Sequence, residues 1–419
     1  MNFYSVKKLD KRGRISVKVP ASKSILNRAL LLAAFSSGDT HLVCGSYGED
    51  TEAMLGCLLS LGVPVERTDK GLLVHGGNIK TSAALDVMSA GTVARFLPVV
   101  LAFRGGEYTF TSSEQMKGRP MDVLALLAEA GVEIEYLEKA GHFPFRMRSK
   151  GIGAETLSVN TDKSTQYASG VLLAAAVGKT PFTLHLTGGR RDGSYINMSV
   201  KLLNDFGAEV KRSGDDITVQ PLTASPKEFL VEPDISGACY FYALSLLCGA
   251  EVLVEDVHFD TCQGDIAFLE LLRQKGVRLT DTPKGIVADG KYIPTYNGFD
   301  ENMQNFSDQA LTLAAVALFA SSPSILRNLA HTRGQESDRI NAIVENINAL
   351  GVRSFTNGND VFIEPAPVTG GTVKTFNDHR VAMAFTLVGL KTGNILIENP
   401  ACCRKTFANF FEIIDTLTK

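Results

Sequence analysis

The sequence predicts a mixed α/β protein of two similar domains, each built from three units of strands and helices. Two observations carry this. The chain has 419 residues, too many for one ordinary hydrophobic core. A helix-to-strand junction also recurs: CLLSLGVPV around Gly62, LLAEAGVEI around Gly131, LLNDFGAEV around Gly207, LLRQKGVRL around Gly276 and NINALGVRS around Gly351, at intervals of 69, 76, 69 and 75 residues. At each, Gly takes the left-handed position, stops the helix and turns the chain into a strand. A sixth helix is read in FANFFEIIDTL, which makes six units. Alternating stretches such as GLLVHGG (71–77), TLSVNT (156–161) and DITVQPL (216–222) supply strands between the helices. No low-complexity linker occurs, so a short hinge is expected to join the halves.

Composition narrows the class. Apolar residues make up 45% and charged residues 21%, as in soluble globular proteins. Met1 to Lys11 has no apolar signal core, and apolar runs such as Phe96 to Phe103 are too short to span a bilayer. A cytoplasmic protein is expected. The seven cysteines contain no CxxC pair, so neither a disulfide framework nor a zinc site is indicated. A net charge of −3 gives no general attraction to nucleic acid or membranes, so an anionic ligand needs a local cluster of cations.

Eight stretches set charged or hydroxyl residues beside Gly or ahead of an apolar helix. Pro20-Ala-Ser-Lys-Ser-Ile-Leu-Asn-Arg28 is either a plain N-cap with solvated cations or an anion-facing helix start strengthened by Lys23 and Arg28. Ser89-Ala-Gly-Thr-Val-Ala-Arg95 is a structural turn or a display of amides and a hydroxyl. In Lys117-Gly-Arg-Pro120, Arg119 opposes a helix dipole unless an anion relieves it; an exposed loop arginine is the alternative. Lys163-Ser-Thr-Gln166 fits a phosphate or a simple capping cluster, and Asp308 taken alone reads as an N-cap. Arg333-Gly-Gln-Glu-Ser-Asp-Arg339 opens a helix. Asn377-Asp-His-Arg380 is dense for a surface turn, and Arg404-Lys-Thr-Phe407 sets two cations beside a Phe. There is no P-loop, GxGxxG, GxSxG elbow or zinc helix. The residues alone indicate an enzyme or binding protein for small phosphorylated, carboxylated molecules.

Taken in order and spacing, PASKSILNRALLLAA, SAGTVARF, GRP, STQ, VEPDISGACYF, QESDR, FNDHRVAMAF and RKTF make the chain, from about Pro20 to its C-terminus, resemble the 3-phosphoshikimate 1-carboxyvinyltransferases, or 5-enolpyruvylshikimate-3-phosphate synthases. The resemblance implies two domains of three βαβαββ units each (an inverse α/β barrel) with the active site in the interdomain cleft. Residues 1–19 and 233–419 would form the discontinuous, mostly phosphoenolpyruvate-side domain, and 20–232 the inserted, mostly shikimate-side domain. It implies transfer of enolpyruvyl from phosphoenolpyruvate to 3-phosphoshikimate with release of phosphate, without metal or cofactor, by a monomer with no nucleic-acid or membrane partner and with glyphosate as an inhibitor.

Carried onto this sequence, the resemblance assigns Lys23, Ser24, Arg28, Ser164, Thr165, Gln166, Tyr195, Asp308 and Gln335 to 3-phosphoshikimate. It assigns Lys23, Gly91, Thr92, Arg119, Gln166, Arg339, Arg380 and Lys405 to phosphoenolpyruvate. Asp308, Glu336, Lys23, Lys405 and His379 are the implied catalytic group, with Asp50 and Asp234 supporting. The chemistry asks for such a set, because two doubly acidic substrates must be brought together against their own repulsion. Departures from the commonest pattern are Gln335 where many members have Lys, His331 and Ser89 where Asn is frequent, Thr165 for Ser, and Asp192, an anion left out of the site. Phe96 stands where Pro is frequent in glyphosate-sensitive members. Two rival readings stay open: the sister transferase acting on UDP-N-acetylglucosamine, and a catalytically inactive binding homologue.

Overall fold

A computed structural model of the chain describes residues 2–9, 13–162 and 164–419. The chain divides into two compact units, Met1–Pro20 with Glu232–Lys419, and Ala21–Val231. Among the described residues the strands form five four-stranded sheets and one three-stranded sheet, all on one plan. In one of them, Ser82–Asp86 runs parallel to Gly106–Thr111, the crossover being the helix Gly91–Arg104. After a second helix, Val123–Glu129, the hairpin of Glu133–Tyr136 and Phe145–Ser149 completes the sheet antiparallel to Gly106–Thr111. A parallel pair cannot be joined by a tight turn, so the plan requires a helix in each crossover.

The sheets at the points where the chain leaves and re-enters a unit are completed from a distance. Arg14–Val17 lies parallel to Glu251–Val254, with Ile15 opposite Val252. Glu228–Leu230 lies parallel to Gly38–Val43, with Phe229 opposite Leu42. Each fills the place that the strand directly before the crossover helix fills elsewhere. In the three-stranded sheet, Phe3–Val6 closes antiparallel onto Ile395–Glu398, which pairs parallel with Gly371–Val373.

The crossover helices are apolar on nearly every face and are buried almost throughout. Lys23–Phe35, Gly91–Arg104 and Thr165–Ala176 pack on one another in the unit of residues 21–231. Ile235–Cys248, Ala310–Ala317 and His379–Thr392 do the same in the other unit. The second helix of each repeat is one-sided; Ser194–Asp205 buries Ile196, Met198, Leu202 and Leu203 and leaves Lys201 and Asp205 outside. No helix among the described residues is long and apolar enough to cross a membrane.

The five glycines of the sequence repeat end these one-sided helices, all with φ between +83° and +97°. The bonding is the same each time: the amide after the glycine reaches five residues back, as in Val63 to Leu58, Val132 to Leu127, Ala208 to Leu203, Val277 to Leu272 and Val352 to Ile347. At Gly207 a Cβ would meet no atom within 4 Å, so replacement there tests backbone conformation alone. Gly207→Ala is expected to lower stability by about 1–2 kcal/mol in urea unfolding, and Gly207→Asn by less, because Asn tolerates the left-handed region.

Candidate active site

In the unit of residues 21–231, polar side chains gather where the buried helices begin. The Lys23 ammonium stands 3.1 Å from the carboxylate of Asp50, itself 3% exposed. Asn27 donates to the Thr92 hydroxyl at 2.8 Å and to the Asp50 carbonyl at 3.3 Å, tying the first buried helix to the start of the second. At that start, a Cβ on Gly91 would lie 3.2 Å from the Arg95 guanidinium and 3.3 Å from that of Arg119, both buried. Two cations therefore close on a backbone edge that carries no side chain. Ser164 begins the third helix by accepting from the Gln166 amide at 3.2 Å, and Thr165 beside it is buried. The Gln166 side-chain oxygen is buried without a hydrogen-bond partner. Lys163, the first residue of this stretch, lies outside the described residues.

Arg28 is placed inside this unit. It is 1% exposed, donates to Ser199 Oγ (2.9 Å), the Ser24 carbonyl (2.7 Å) and Ser169 Oγ (3.0 Å), and lies 4.8 Å over the Phe96 ring. The Tyr195 carbonyl accepts from the hydroxyls of Ser169 and Ser199. Arg28 thus binds helix starts together from within. Asp192 is paired with Arg212 at 2.6 Å.

In the other unit the charged residues form a chain of alternating sign. Arg380 donates to Asp308 Oδ2 at 2.9 Å, and Arg339 to Asp308 Oδ1 at 2.7 Å. Arg339 also donates to Glu336 Oε2 at 3.1 Å, and Glu336 Oε1 stands 3.4 Å from the Lys405 ammonium. The Gln335 side-chain oxygen accepts from Arg339 as well. Asp378, wholly buried, anchors the chain from behind. It accepts from Arg339 Nε (2.9 Å), the Ser337 hydroxyl (3.0 Å) and the Arg380 amide (2.9 Å) as the N-cap of His379–Thr392. Burial works against the charge on Arg339, but Asp378, Asp308 and Glu336 outweigh it and hold its proton above the ordinary arginine range. His379 is 1% exposed. Its Nδ1 lies 3.7 Å from Asp378, and its carbonyl accepts from the thiol of Cys403, two residues before Lys405. Asp234 caps Ile235–Cys248, accepting from the Ser236 amide at 3.2 Å.

Comparison with known proteins bears on this arrangement. A family model described as EPSP synthase (3-phosphoshikimate 1-carboxyvinyltransferase) matches residues 9–414. The chain belongs to the EPSP synthase family. It is 35% identical over 419 residues to the 3-phosphoshikimate 1-carboxyvinyltransferase of Nostoc punctiforme, covering 98% of each chain. It is 33% identical to that of a Marinomonas species, covering 96% of each. An EPSP synthase structure from Acinetobacter baumannii superposes with a TM-score of 0.80 at 25% identity, over 99% of this chain and 98% of that one. The enolpyruvyl transferase NikO from Streptomyces tendae shares the fold, with a TM-score of 0.74 at 16% identity over 99% of this chain and 96% of that one.

Set on this member of the EPSP synthase family, the sequence-derived residues fall into two clusters. Lys23, Asp50, Thr92, Gly91 and Arg119 belong to one, with Ser164, Thr165 and Gln166 at the third helix start. Asp308, Gln335, Glu336, Arg339, Arg380 and Lys405 form the other. Residue patterns missed Arg95 and the anchoring role of Asp378. Arg95 was in view as the last residue of the Gly-Thr stretch, and the signal for it is the four-residue spacing that returns its guanidinium to the Gly91 carbonyl, 3.2 Å away. Removing Asp378 leaves Arg339 buried with one carboxylate fewer. Asp378→Ala is expected to cost about 3–5 kcal/mol in denaturant unfolding, with Asp378→Asn intermediate.

Proposed function

We propose that this chain transfers the enolpyruvyl group of phosphoenolpyruvate to the 5-hydroxyl of 3-phosphoshikimate and releases phosphate, the step of aromatic amino-acid biosynthesis before chorismate. The observation that carries the reading is the alternating series Arg380, Asp308, Arg339, Glu336, Lys405 in a chain of this family. Arg339, Arg380 and Lys405, with Arg119 and Lys23, serve the carboxylate and phosphate of phosphoenolpyruvate; Ser164, Thr165 and Gln166 serve the 3-phosphate. Asp308 takes the proton of the 5-hydroxyl as its oxygen bonds to C2 of phosphoenolpyruvate. Glu336, or one of the lysines Lys23 and Lys405, gives a proton to C3. Loss of phosphate from the tetrahedral adduct and of a proton from C3 then restores the double bond. Arg28 and His379, both buried, hold the frame, and Tyr195 belongs with the 3-phosphoshikimate group. The protein acts as a monomer in the cytoplasm on small molecules only.

The fold alone does not choose the acceptor. The STQ stretch, with the SKS…R and NDHR motifs, resembles the shikimate branch of these transferases rather than the UDP-sugar branch. Phosphate release with 3-phosphoshikimate, and none with UDP-N-acetylglucosamine, is the expected assay result; tight binding of 3-phosphoshikimate without release identifies an inactive homologue instead. Asp308→Asn should lower kcat by about 10²–10⁴-fold, and turnover at the wild-type rate would remove Asp308 as the base.

Glyphosate is proposed to bind in the place of phosphoenolpyruvate beside Gly91. A methyl group there presses on two guanidinium groups. Gly91→Ala is therefore expected to raise the phosphoenolpyruvate KM and the glyphosate inhibition constant about tenfold or more. An inhibition curve for the unaltered protein that stays flat to millimolar glyphosate would refute this part.

A further inference from the structure

Behind Asp308 lies a buried carboxylate that the reaction as written does not use. Asp265 sits in the 3-10 turn Gly264–Ile266 and is 5% exposed. Its Oδ2 accepts from the Ser236 hydroxyl and from Gln309 Nε2, the latter at 2.8 Å. Each donor leads to the charged chain. Ser236 Oγ accepts from Arg380 at 3.3 Å, through the same nitrogen that donates to Asp308 at 2.9 Å. Gln309 follows Asp308 in the 3-10 turn Ser307–Gln309, and its own oxygen accepts from Thr312 at 3.0 Å. One buried oxygen therefore fixes both the guanidinium facing Asp308 and the turn that carries it.

We propose that Asp265 is a positioning residue which, in its ionised form, holds Arg380 and Asp308 in place through Ser236 and Gln309. The proposal rests on the roles given above to Asp308 and Arg380. The charged or titratable groups that act on Asp265 or share its surroundings are Cys239 from Ile235–Cys248, Asp308 from the turn Ser307–Gln309 and Arg380 from His379–Thr392, with Asp234, the N-cap of Ile235–Cys248, acting on Cys239. Burial pushes the Cys239 thiol well above its usual range, so it stays neutral. Burial first, then the charge of Asp308, raises Asp265 to about 6, against the pull of Arg380, Ser236 and Gln309. A neutral acid accepts weaker hydrogen bonds than a carboxylate, so the link slackens as pH falls through that value. The sign for stability is opposite. With its folded-state value raised, Asp265 contributes stability below its ordinary range near 4 that is lost as pH rises through about 6.

Asp265→Asn separates charge from shape, because the amide oxygen still accepts from both donors. The wild-type kcat is expected to fall on an acid limb near pH 6. The variant should show about a tenfold lower kcat at neutral pH and no such limb. A variant that keeps the wild-type limb overturns the proposal, whether its kcat is unchanged or lowered equally at every pH; the second result marks a merely structural residue. Ser236→Ala cuts the link to Arg380 and should raise the phosphoenolpyruvate KM, and wild-type KM and kcat there would also overturn it. Melting temperature against pH gives a reading independent of turnover. Relative to Asp265→Asn, the wild type should gain stability between about pH 7 and 5; parallel curves would sink the proposal. Failure of the Asp308 assignment looks different: Asp308→Asn stays active while the melting contrast persists.

Discussion

Six helices among the described residues, apolar on nearly every face, set the terms for this protein. A helix that is apolar all round must be covered on all sides, and its first amides then need acceptors where water is scarce. The sequence supplies them locally in three places, with Ser164, Asp234 and Asp378 each accepting from an amide two residues on. At Lys23–Phe35, Gly91–Arg104 and Ala310–Ala317 the N-cap side chain makes no such bond. Polar side chains are thus drawn to the same ends of the same helices. The sheets, whose inner faces the helices cover, carry little of the chemistry.

The two units solve the problem of buried positive charge differently. In the unit of residues 21–231, the buried Arg28 is held by hydroxyls and backbone carbonyls, and Lys23 stands beside the carboxylate of Asp50. In the other unit Arg339 is held by three carboxylates. Removing a guanidinium from water costs several kcal/mol, and ion pairing repays it only when the geometry is good and the remaining donors are filled. Here Arg339 uses Nε and both terminal nitrogens on Asp378, Asp308, Gln335 and Glu336. Asp378 is fully engaged at the helix start. Asp308 and Glu336 each lie between two cations, so an anion arriving there exchanges one carboxylate partner for another and the charge on Arg339 is never stranded.

What could be read from the sequence is what depends on neighbours along the chain. The helix-stopping glycines announce themselves because few other residues accept their backbone angle, and all five take it. The buried helices are equally plain in runs such as GVLLAAA and TLAAVALFA. The strand Phe3–Val6 was not legible: it pairs with Ile395–Glu398 from the far end of the chain, and no local pattern encodes that. The site divides the same way. Helix-start motifs delivered Lys23, Thr165, Arg339 and Arg380. That Arg28 points inward to Ser169 and Ser199, and that Asp265 meets Ser236 and Gln309, are facts of packing between distant segments.

Gln335 shows how a departure from the family pattern can follow from charge balance. Many members have Lys there, which would bring an ammonium beside Arg339, whose terminal nitrogen here reaches the amide oxygen. Counting only direct ion pairs, which leaves out Asp265 behind Ser236, the cations Arg339, Arg380 and Lys405 match the carboxylates Asp308, Glu336 and Asp378 in number. A neutral acceptor fills the last site on Arg339 without tipping that balance, whereas a lysine would draw Glu336 away from its present partners. The amide thus preserves the two-sided contacts of Glu336 with Arg339 and Lys405.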